Sequence, residues 1–300
     1  MTHDLERFLQ PDEIAKISRL ELRARKVVEG FVSGLHRSPY FGQSIEFVQH
    51  REYVPGDDTR RIDWKVWSRT DRYYLKQFEE DTNVRVVLLV DGSESMQFGA
   101  GSLSKFEYAQ TVAAALSMLI LKQNDSVGVG LFDSTMRSII PSSSRHNHLQ
   151  AILKGLSAET AGGKTDMIGV LRKAAEVMSH RSIVILISDL FCDRDELFKG
   201  LQLLRQRKHE VLIVHTMDDQ ELDFEYAGTM RFEGLEDAGK LTCDPAALRA
   251  GYQKALETFL ETIRRRCAGS VIDYRLARTS EHLDAVLSHL LNFRIGMRRV

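Results

Sequence analysis

From residue 84 onward, short apolar runs alternate with longer segments whose apolar residues recur at helical spacing. Short continuous apolar runs are typical of strands buried on both faces, and the helical spacing is typical of amphipathic helices. This alternation predicts an α/β fold, with a mainly parallel, doubly wound (Rossmann-like) sheet covered by helices on both faces. The predicted strands are 84–90, 126–132, 137–140, 182–188, 211–216 and 271–276, and the predicted helices are 104–122, 147–157, 167–179, 194–207, 245–266 and 281–292.

The part of the chain before residue 84 has a different pattern, more polar and more aromatic. It predicts a helix over 12–33 and strands over 43–54 and 72–80. We therefore expect two regions: an N-terminal α+β extension, 1–80, packed on a main domain, 81–300. Within the main domain, the segment 217–244 interrupts the strand–helix rhythm and predicts a hairpin insertion.

Several predicted helices begin with residues that favour a helix start. A Ser or Asp before the first turn can accept hydrogen bonds from free backbone N–H groups, and a Glu three residues later completes a capping box. Proline is favoured at the first helical position. The predicted starts are Ser104 with Glu107, Asp193 with Glu196, Asp244 with Pro245, and Asp166.

Composition narrows the classes of partner and compartment. The 300 residues carry 41 basic and 42 acidic side chains, which gives no general attraction to nucleic acid or anionic membranes. The three cysteines are widely spaced and form no CxxC motif, so neither a zinc ribbon nor a disulfide framework is predicted. No segment approaches the roughly 20 apolar residues of a membrane span. We expect a cytoplasmic protein without membrane insertion or nucleic-acid binding.

Oxygen-bearing side chains cluster in three predicted loops. Asp91, Ser93 and Ser95 follow the strand 84–90, Thr165 lies in the loop AGGKTD, and Asp189 follows the strand 182–188. Ligands of open parallel sheets bind beyond the carboxyl ends of strands. Hydroxyl and carboxylate oxygens suit a hard divalent cation. The sequence therefore predicts a site for Mg²⁺, or for Mn²⁺ or Ca²⁺, built from these five residues.

Two other interpretations of these residues stay open. Asp and Ser at a strand end can simply satisfy backbone groups in a turn. A carboxylate beside a divalent cation is also compatible with a metal-dependent hydrolase, for example a phosphoesterase. No general base is evident next to the motif, which favours binding: the cation would accept a carboxylate from a partner.

The motif DGSES, with Thr165 and Asp189, resembles the metal-ion-dependent adhesion site of von Willebrand factor A domains. Asp91, Ser93 and Ser95 match its DxSxS motif, although Leu190 stands where a glycine usually follows the last aspartate. A more extensive resemblance, over about 40–215, is to the bacterial family called domain of unknown function 58. It rests on REYVPGDDTRRIDWKVWSRTDRYYLKQFEED, LLVDGSESM and SDLFCD.

This resemblance implies a von Willebrand factor A-like fold and a non-enzymatic role. Similar proteins often work beside MoxR-type AAA+ ATPases, as adaptors or chaperone-like partners. The implied partner is such an ATPase or its client, which would supply a carboxylate to the metal. The family has no agreed enzymatic activity, and the role of the first 80 residues is not implied by it.

Overall fold

The computed structural model describes residues 11–35, 49–54, 64–70, 72–77, 84–145, 147–226, 228, 230–233, 239–283 and 285–288. By its contacts the chain divides into two compact units. The larger unit combines Met1–Val32 with Val84–Val300, and the smaller unit is Ser33–Asn83. The division predicted from the sequence, at residue 80, stays a prediction.

The smaller unit contains a two-stranded antiparallel sheet and a short helix. Strand β1 (Gln49–Glu52) pairs with β2 (Tyr74–Gln77), and helix α2 (Trp64–Thr70) lies between them in sequence. The rings of Trp67 and Tyr73 stack, with their centroids 6.0 Å apart. Both predicted strands are present but shorter, because the described residues 53–54 and 72–73 are not part of them. Residues 43–48 and 78–80 lie outside the described residues, as does the PGDDTRRID part of the family motif.

Helix α1 (Pro11–Leu35), most of which belongs to the larger unit, buries Leu20, Ala24 and Val28 at helical spacing. The elements that follow residue 84 alternate as the apolar pattern predicts, and of the predicted last helix, 281–292, residues 284 and 289–292 lie outside the described residues. The strands are β3 (Arg85–Asp91), β4 (Ser126–Phe132), β5 (Met136–Ser143), β6 (Ile183–Ser188), β7 (Glu210–Met217), β8 (Met230–Glu233), β9 (Lys240–Cys243) and β10 (Asp273–Arg278). The helices are α3 (Lys105–Lys122), α4 (His148–Ala158), α5 (Met167–Val177), α6 (Arg194–Gln206), α7 (Asp219–Asp223) and α8 (Pro245–Gly269).

A six-stranded sheet forms the centre of this unit. Its strand order is β10-β7-β6-β3-β4-β5, and every neighbouring pair is parallel except β4 with β5. This confirms the mixed α/β fold with a mostly parallel, helix-flanked sheet. The antiparallel edge strand β5 follows β4 after a short turn, a connection that only antiparallel neighbours can make.

The sheet order places a topological switch point between β3 and β6. From β3 the chain continues through α3 to β4 on one side, whereas from β6 it continues through α6 to β7 on the other side. In open α/β sheets, the loops diverge at such a point and leave a crevice at the carboxyl ends of the strands. The loops after β3 and β6 border this crevice.

Apolar side chains from both faces of the sheet are buried under helices. On one face, Leu89, Leu186 and Ile213 belong to a core cluster with residues of α5, α6 and the second half of α8. Successive strand residues point to opposite faces, so Leu88 and Val90 lie on the other face, and α3 packs against β3 and β4. The continuous apolar runs of these strands follow from burial on both sides.

The predicted helix starts are confirmed. Ser104 and Glu107 form a capping box, and the side chains of Asp193, Asp244 and Asp166 accept backbone N–H groups of their first turns. The segment 217–244 does contain a hairpin, β8 with β9, but the short helix α7 precedes it, with a capping box of its own. In the described residues, none of the helices has the length and apolar character that crossing a bilayer requires.

Candidate metal-binding rim

The loop after β3 brings one carboxylate and two hydroxyls together. Asp91 is the last residue of β3 and is 1% exposed, and its Oδ1 accepts the N–H of Ser93 at 2.9 Å. A turn of 3-10 helix over Glu94–Gln97 then folds the chain back, so that the Oγ atoms of Ser93 and Ser95 lie 3.1 Å apart. We call residues 91–97 the Asp91 loop.

The loop before α5 is hydrogen-bonded to the Asp91 loop. The N–H of Gly162 donates to the carbonyl of Gly92 at 2.8 Å, and the N–H of Glu94 donates to the carbonyl of Gly163 at 2.9 Å. Gly163 has φ +86°, and a Cβ there would lie 2.9 Å from Asp133 Oδ2, so the position requires glycine. These bonds hold the half-buried Thr165 in the loop that pairs with the Asp91 loop.

The loop after β6 contacts Asp91 directly. Ser188, the last residue of β6, donates from its Oγ to Asp91 Oδ2 at 2.6 Å and accepts the N–H of Leu190 at 2.9 Å. Leu190 has φ +55°, a conformation that glycine adopts more readily than leucine, and its side chain is fully buried in the core cluster. Burial of this side chain explains how leucine can occupy a position where related sites usually have glycine.

A buried lysine completes the arrangement. Lys105 Nζ lies 2.7 Å from Asp189 Oδ2 and 2.7 Å from Glu221 Oε1, and the side chains of Lys105 and Asp189 are only 3% and 4% exposed. Burial acts to lower the pKa of Lys105, but the charges of Asp189 and Glu221 outweigh it and raise that pKa above its ordinary value. The other oxygen of Asp189 accepts the N–H of Phe191 at 3.1 Å. Asp189 is therefore already charge-compensated.

Asp91, in contrast, has no cationic partner among the described residues. Burial, with the negative charge of Asp189, raises the pKa of Asp91 from 3.8 to about 7, although the hydrogen bonds from Ser188 and Ser93 act in the opposite direction. The nearby His215 cannot compensate this charge. Burial lowers the pKa of His215 to about 4, and its ring nitrogens contact the carbonyl of Asp189 and the hydroxyl of Tyr274. A buried carboxylate without a counter-charge favours a bound cation.

The donor set fits a hard divalent cation. No group of three or more His, Cys, Asp or Glu side chains placed to hold a metal ion occurs in the described part of the chain. Adjacent ligands of an octahedral Mg²⁺ with metal–oxygen distances of about 2.1 Å lie about 3.0 Å apart. The two serine hydroxyls, which are hydrogen-bonded to each other at 3.1 Å, have about this separation.

The structure connects some of the predicted residues through side-chain contacts and others only through the backbone of their loops. Asp91, Ser93 and Ser95 share one loop, and Asp189 follows a serine that is bonded to Asp91. Thr165 is connected through backbone hydrogen bonds of its loop. We call these three loops the rim, and their role as a ligand set stays a prediction. Two acidic residues near the predicted ligands are not among them: Glu94 is half-buried, and Asp133 accepts the N–H of Thr135 as a turn residue.

Sequence reasoning missed Lys105, Ser188 and Glu221. A lysine in the first turn of an amphipathic helix is typical of a solvent-exposed position, and nothing in the sequence marks it as buried. Ser188 directly precedes the predicted ligand Asp189 at the end of an apolar strand. That adjacency is the one signal that could have identified it.

Fold and rim together define a doubly wound α/β protein with an oxygen-lined site at its topological switch point. The chain belongs to the family described as "Protein of unknown function DUF58", whose profile matches residues 49–262.

Relatives and solved structures resemble this chain at low identity. Uncharacterized protein Rv1480 of Mycobacterium tuberculosis is 25% identical over 264 residues, which cover 86% of this chain and 82% of the relative, and an uncharacterized protein of Mycobacterium bovis matches equally. The conserved hypothetical protein BatB from Bacteroides thetaiotaomicron is 14% identical, with a TM-score of 0.48 over 71% of this chain and 99% of that chain. An aerotolerance-related membrane protein from Bacteroides fragilis is 15% identical, with a TM-score of 0.45 over 70% of this chain and 98% of that chain.

Proposed function

We propose that this protein is a von Willebrand factor A-like interaction module that binds a protein partner through a divalent cation at the rim. The cation would be Mg²⁺, or Mn²⁺ or Ca²⁺. The observation that carries the proposal is Asp91: it is fully buried, it lacks a cationic partner among the described residues, and it lies beside two converging serine hydroxyls. The ligand set comprises Asp91, Ser93, Ser95, Thr165 and Asp189.

A bound cation would supply a positive centre that accepts a carboxylate from the partner. The residues of this chain hold and tune that centre. Ser93 and Ser95 offer neutral oxygens, and Ser188 orients Asp91 through its 2.6 Å hydrogen bond. Because Lys105 neutralises Asp189, few uncompensated carboxylates face the cation, which would leave it able to attract a further acidic group.

A binding role is favoured over hydrolysis by the state of three ionisable side chains around the proposed ligands. Lys105 and Glu221 are paired with each other, and both ring nitrogens of His215 are engaged. A general base needs a free lone pair within reach of the proton it abstracts. These three side chains therefore offer no general base for the hydrolase alternative.

The proposed partner is a MoxR-type AAA+ ATPase or its client, with this chain as an adaptor or chaperone-like component. This part of the proposal rests on the family resemblance. The oxygen-lined rim supports it only in that such a site suits an acidic side chain on another protein.

Metal binding is tested by isothermal titration of Mg²⁺ and Mn²⁺ into the chelator-treated protein. We expect saturable binding by the wild type and at least about tenfold weaker binding by Asp91→Ala and Ser93→Ala, since loss of a ligand or its support typically weakens a metal site by that factor. Ser134→Ala and Asp195→Asn alter exposed residues of the same types and should bind as the wild type does. Equal titration curves for all variants, or no heat for any, would contradict the proposed site.

Partner binding is tested by co-purification with a MoxR-type ATPase, in Mg²⁺ and in EDTA. We expect recovery of the ATPase that is lost with EDTA and with Asp91→Ala. Recovery that depends on neither would refute a metal-mediated contact.

A further inference from the structure

An apolar cavity opens beside the rim. It has a volume of about 430 Å³, within the range of about 300–1,000 Å³ that is usual for ligand pockets. Its lining comes from the Asp91 loop and the residue that follows it, from the loop after β6 and the end of β7, and from residues of α3, α7, β8 and α8. The residues that matter below are Ser95, Lys105, Asp189, Phe191, Glu221 and Ala255. We call this cavity the side pocket.

The side pocket shares two residues with the proposed metal site. Ser95 and Asp189 line the side pocket and also belong to the predicted ligand set. A group bound at the metal would therefore have its neighbouring atoms at the mouth of the side pocket.

The cationic group of the side pocket is already paired with carboxylates. Lys105 is the only basic residue among the described residues that line it, and it contacts Asp189 and Glu221 at 2.7 Å each. Glu221 is fixed further, because its Oε2 accepts the N–H of Asp218. A ligand carboxylate thus finds no free cation in the side pocket itself, and the rest of the lining is dominated by aromatic and aliphatic side chains.

Phe191 lies at the mouth of the side pocket with 62% of its surface exposed. It follows Leu190, whose left-handed backbone turns the chain at this point, and its N–H is bonded to Asp189. Unusual backbone conformations of this kind cluster at ligand-contacting positions. An exposed aromatic ring next to a polar site is typical of the centre of a protein interface.

We propose that the partner segment carries a large apolar side chain next to its metal-binding carboxylate, and that the side pocket accepts this side chain. The inference rests on the function proposed above. The chain would then recognise an acidic–apolar peptide segment and would discriminate against acidic segments that lack the apolar residue.

The test uses fluorescent peptides with blocked ends. One set has an aspartate followed by phenylalanine after zero, one or two glycines, and a matched set has alanine in place of phenylalanine. Binding is followed by anisotropy in Mg²⁺ and in EDTA. Burial of a phenylalanine side chain should raise the affinity at least about tenfold. We therefore expect at least one phenylalanine peptide to bind that much more tightly than the alanine peptide with the same spacer.

Two variants assign this preference to the side pocket. Ala255→Trp fills the side pocket from an exposed position of α8, and we expect it to abolish the preference while the alanine peptides bind as before. Ala250→Trp places the same residue at an exposed position of the same helix outside the side pocket, and it should leave the preference unchanged.

The outcomes separate the two proposals. Mg²⁺-dependent binding of all peptides without a preference for phenylalanine, or a preference that Ala255→Trp leaves intact, overturns the side-pocket inference alone. A small carboxylate that carries a phenyl ring, 3-phenylpropanoate, is compared with the peptides. If it binds more tightly than any peptide, the side-pocket inference is also overturned, in favour of a small-molecule ligand. If no peptide binds in a Mg²⁺-dependent manner and titration detects no metal, the proposed function itself fails.

Discussion

Replacement of the buried carboxylate in Asp91→Asn should stabilise the metal-free protein while it abolishes metal binding. The folded state holds the proton of Asp91 more tightly than the unfolded state does, because burial and Asp189 raise the pKa of Asp91 from 3.8 to about 7. The metal-free folded state therefore loses stability as the pH rises from about 3.8 through about 7. Above this window the full penalty of the charge is present.

The size of the effect follows from the pKa shift and the hydrogen bonds. A shift of about three units corresponds to an upper limit of about 4 kcal/mol. Asparagine keeps an oxygen for the N–H of Ser93, but its amide group then faces the hydroxyl of Ser188, which already accepts the N–H of Leu190. Impaired hydrogen bonding there costs about 1–3 kcal/mol. We expect a net gain of about 1–3 kcal/mol in the free energy of unfolding at pH 8.

Urea unfolding in EDTA, at pH 5 and pH 8, measures this gain. The difference between Asp91→Asn and the wild type should be larger at pH 8, and added Mg²⁺ should stabilise only the wild type. Asp133→Asn is the matched control at the end of the neighbouring strand β4. Although burial acts to raise the pKa of Asp133, the N–H of Thr135 and Arg137 lower it, so this variant should be destabilised. A loss of stability for Asp91→Asn in EDTA at pH 8 would refute the reasoning.

Three further predictions concern the supports of the rim. Gly163→Ala should weaken Mg²⁺ binding, because a Cβ there would lie 2.9 Å from Asp133 Oδ2 and the backbone has φ +86°. Titration measures the affinity, and an unchanged value would contradict this. Lys105→Met should lower the free energy of unfolding at neutral pH by about 3–5 kcal/mol, since it leaves Asp189 with a buried and unpaired charge, and a neutral effect in urea would argue against the pairing. His215, whose pKa is lowered from 6.5 to about 4, should contribute stability above pH 6.5 that is lost as the pH falls toward about 4. Between pH 6.5 and 4, the free energy of unfolding should fall more steeply for the wild type than for His215→Gln. The same dependence on pH in both proteins would count against a buried neutral imidazole.

The sheet and its helices could be predicted because local patterns determine them. The runs around Leu89 and Ile185 are apolar at every position, as strands covered on both faces must be, and Ser104 with Glu107 marks the start of α3 through local hydrogen bonds. The N-capped helix α7 was missed because its five residues are too few to show an apolar period.

The predicted site residues were those whose type alone indicates chemistry, such as Asp91 and Asp189. Lys105 and Ser188 act through tertiary contacts over 84 and 97 residues of sequence, to Asp189 and Asp91 respectively, and no local pattern encodes such pairs. The left-handed backbone of Leu190 was likewise invisible in the sequence, because a leucine does not signal a positive φ.

The most direct test of the rim as a metal site is a crystal structure of the wild type grown with Mn²⁺, with anomalous diffraction recorded. We predict one anomalous peak within about 2.2 Å of the hydroxyls of both Ser93 and Ser95, and none in crystals of Asp91→Ala. Ordered rim residues with no peak there, or a peak held by other residues, would contradict the central claim.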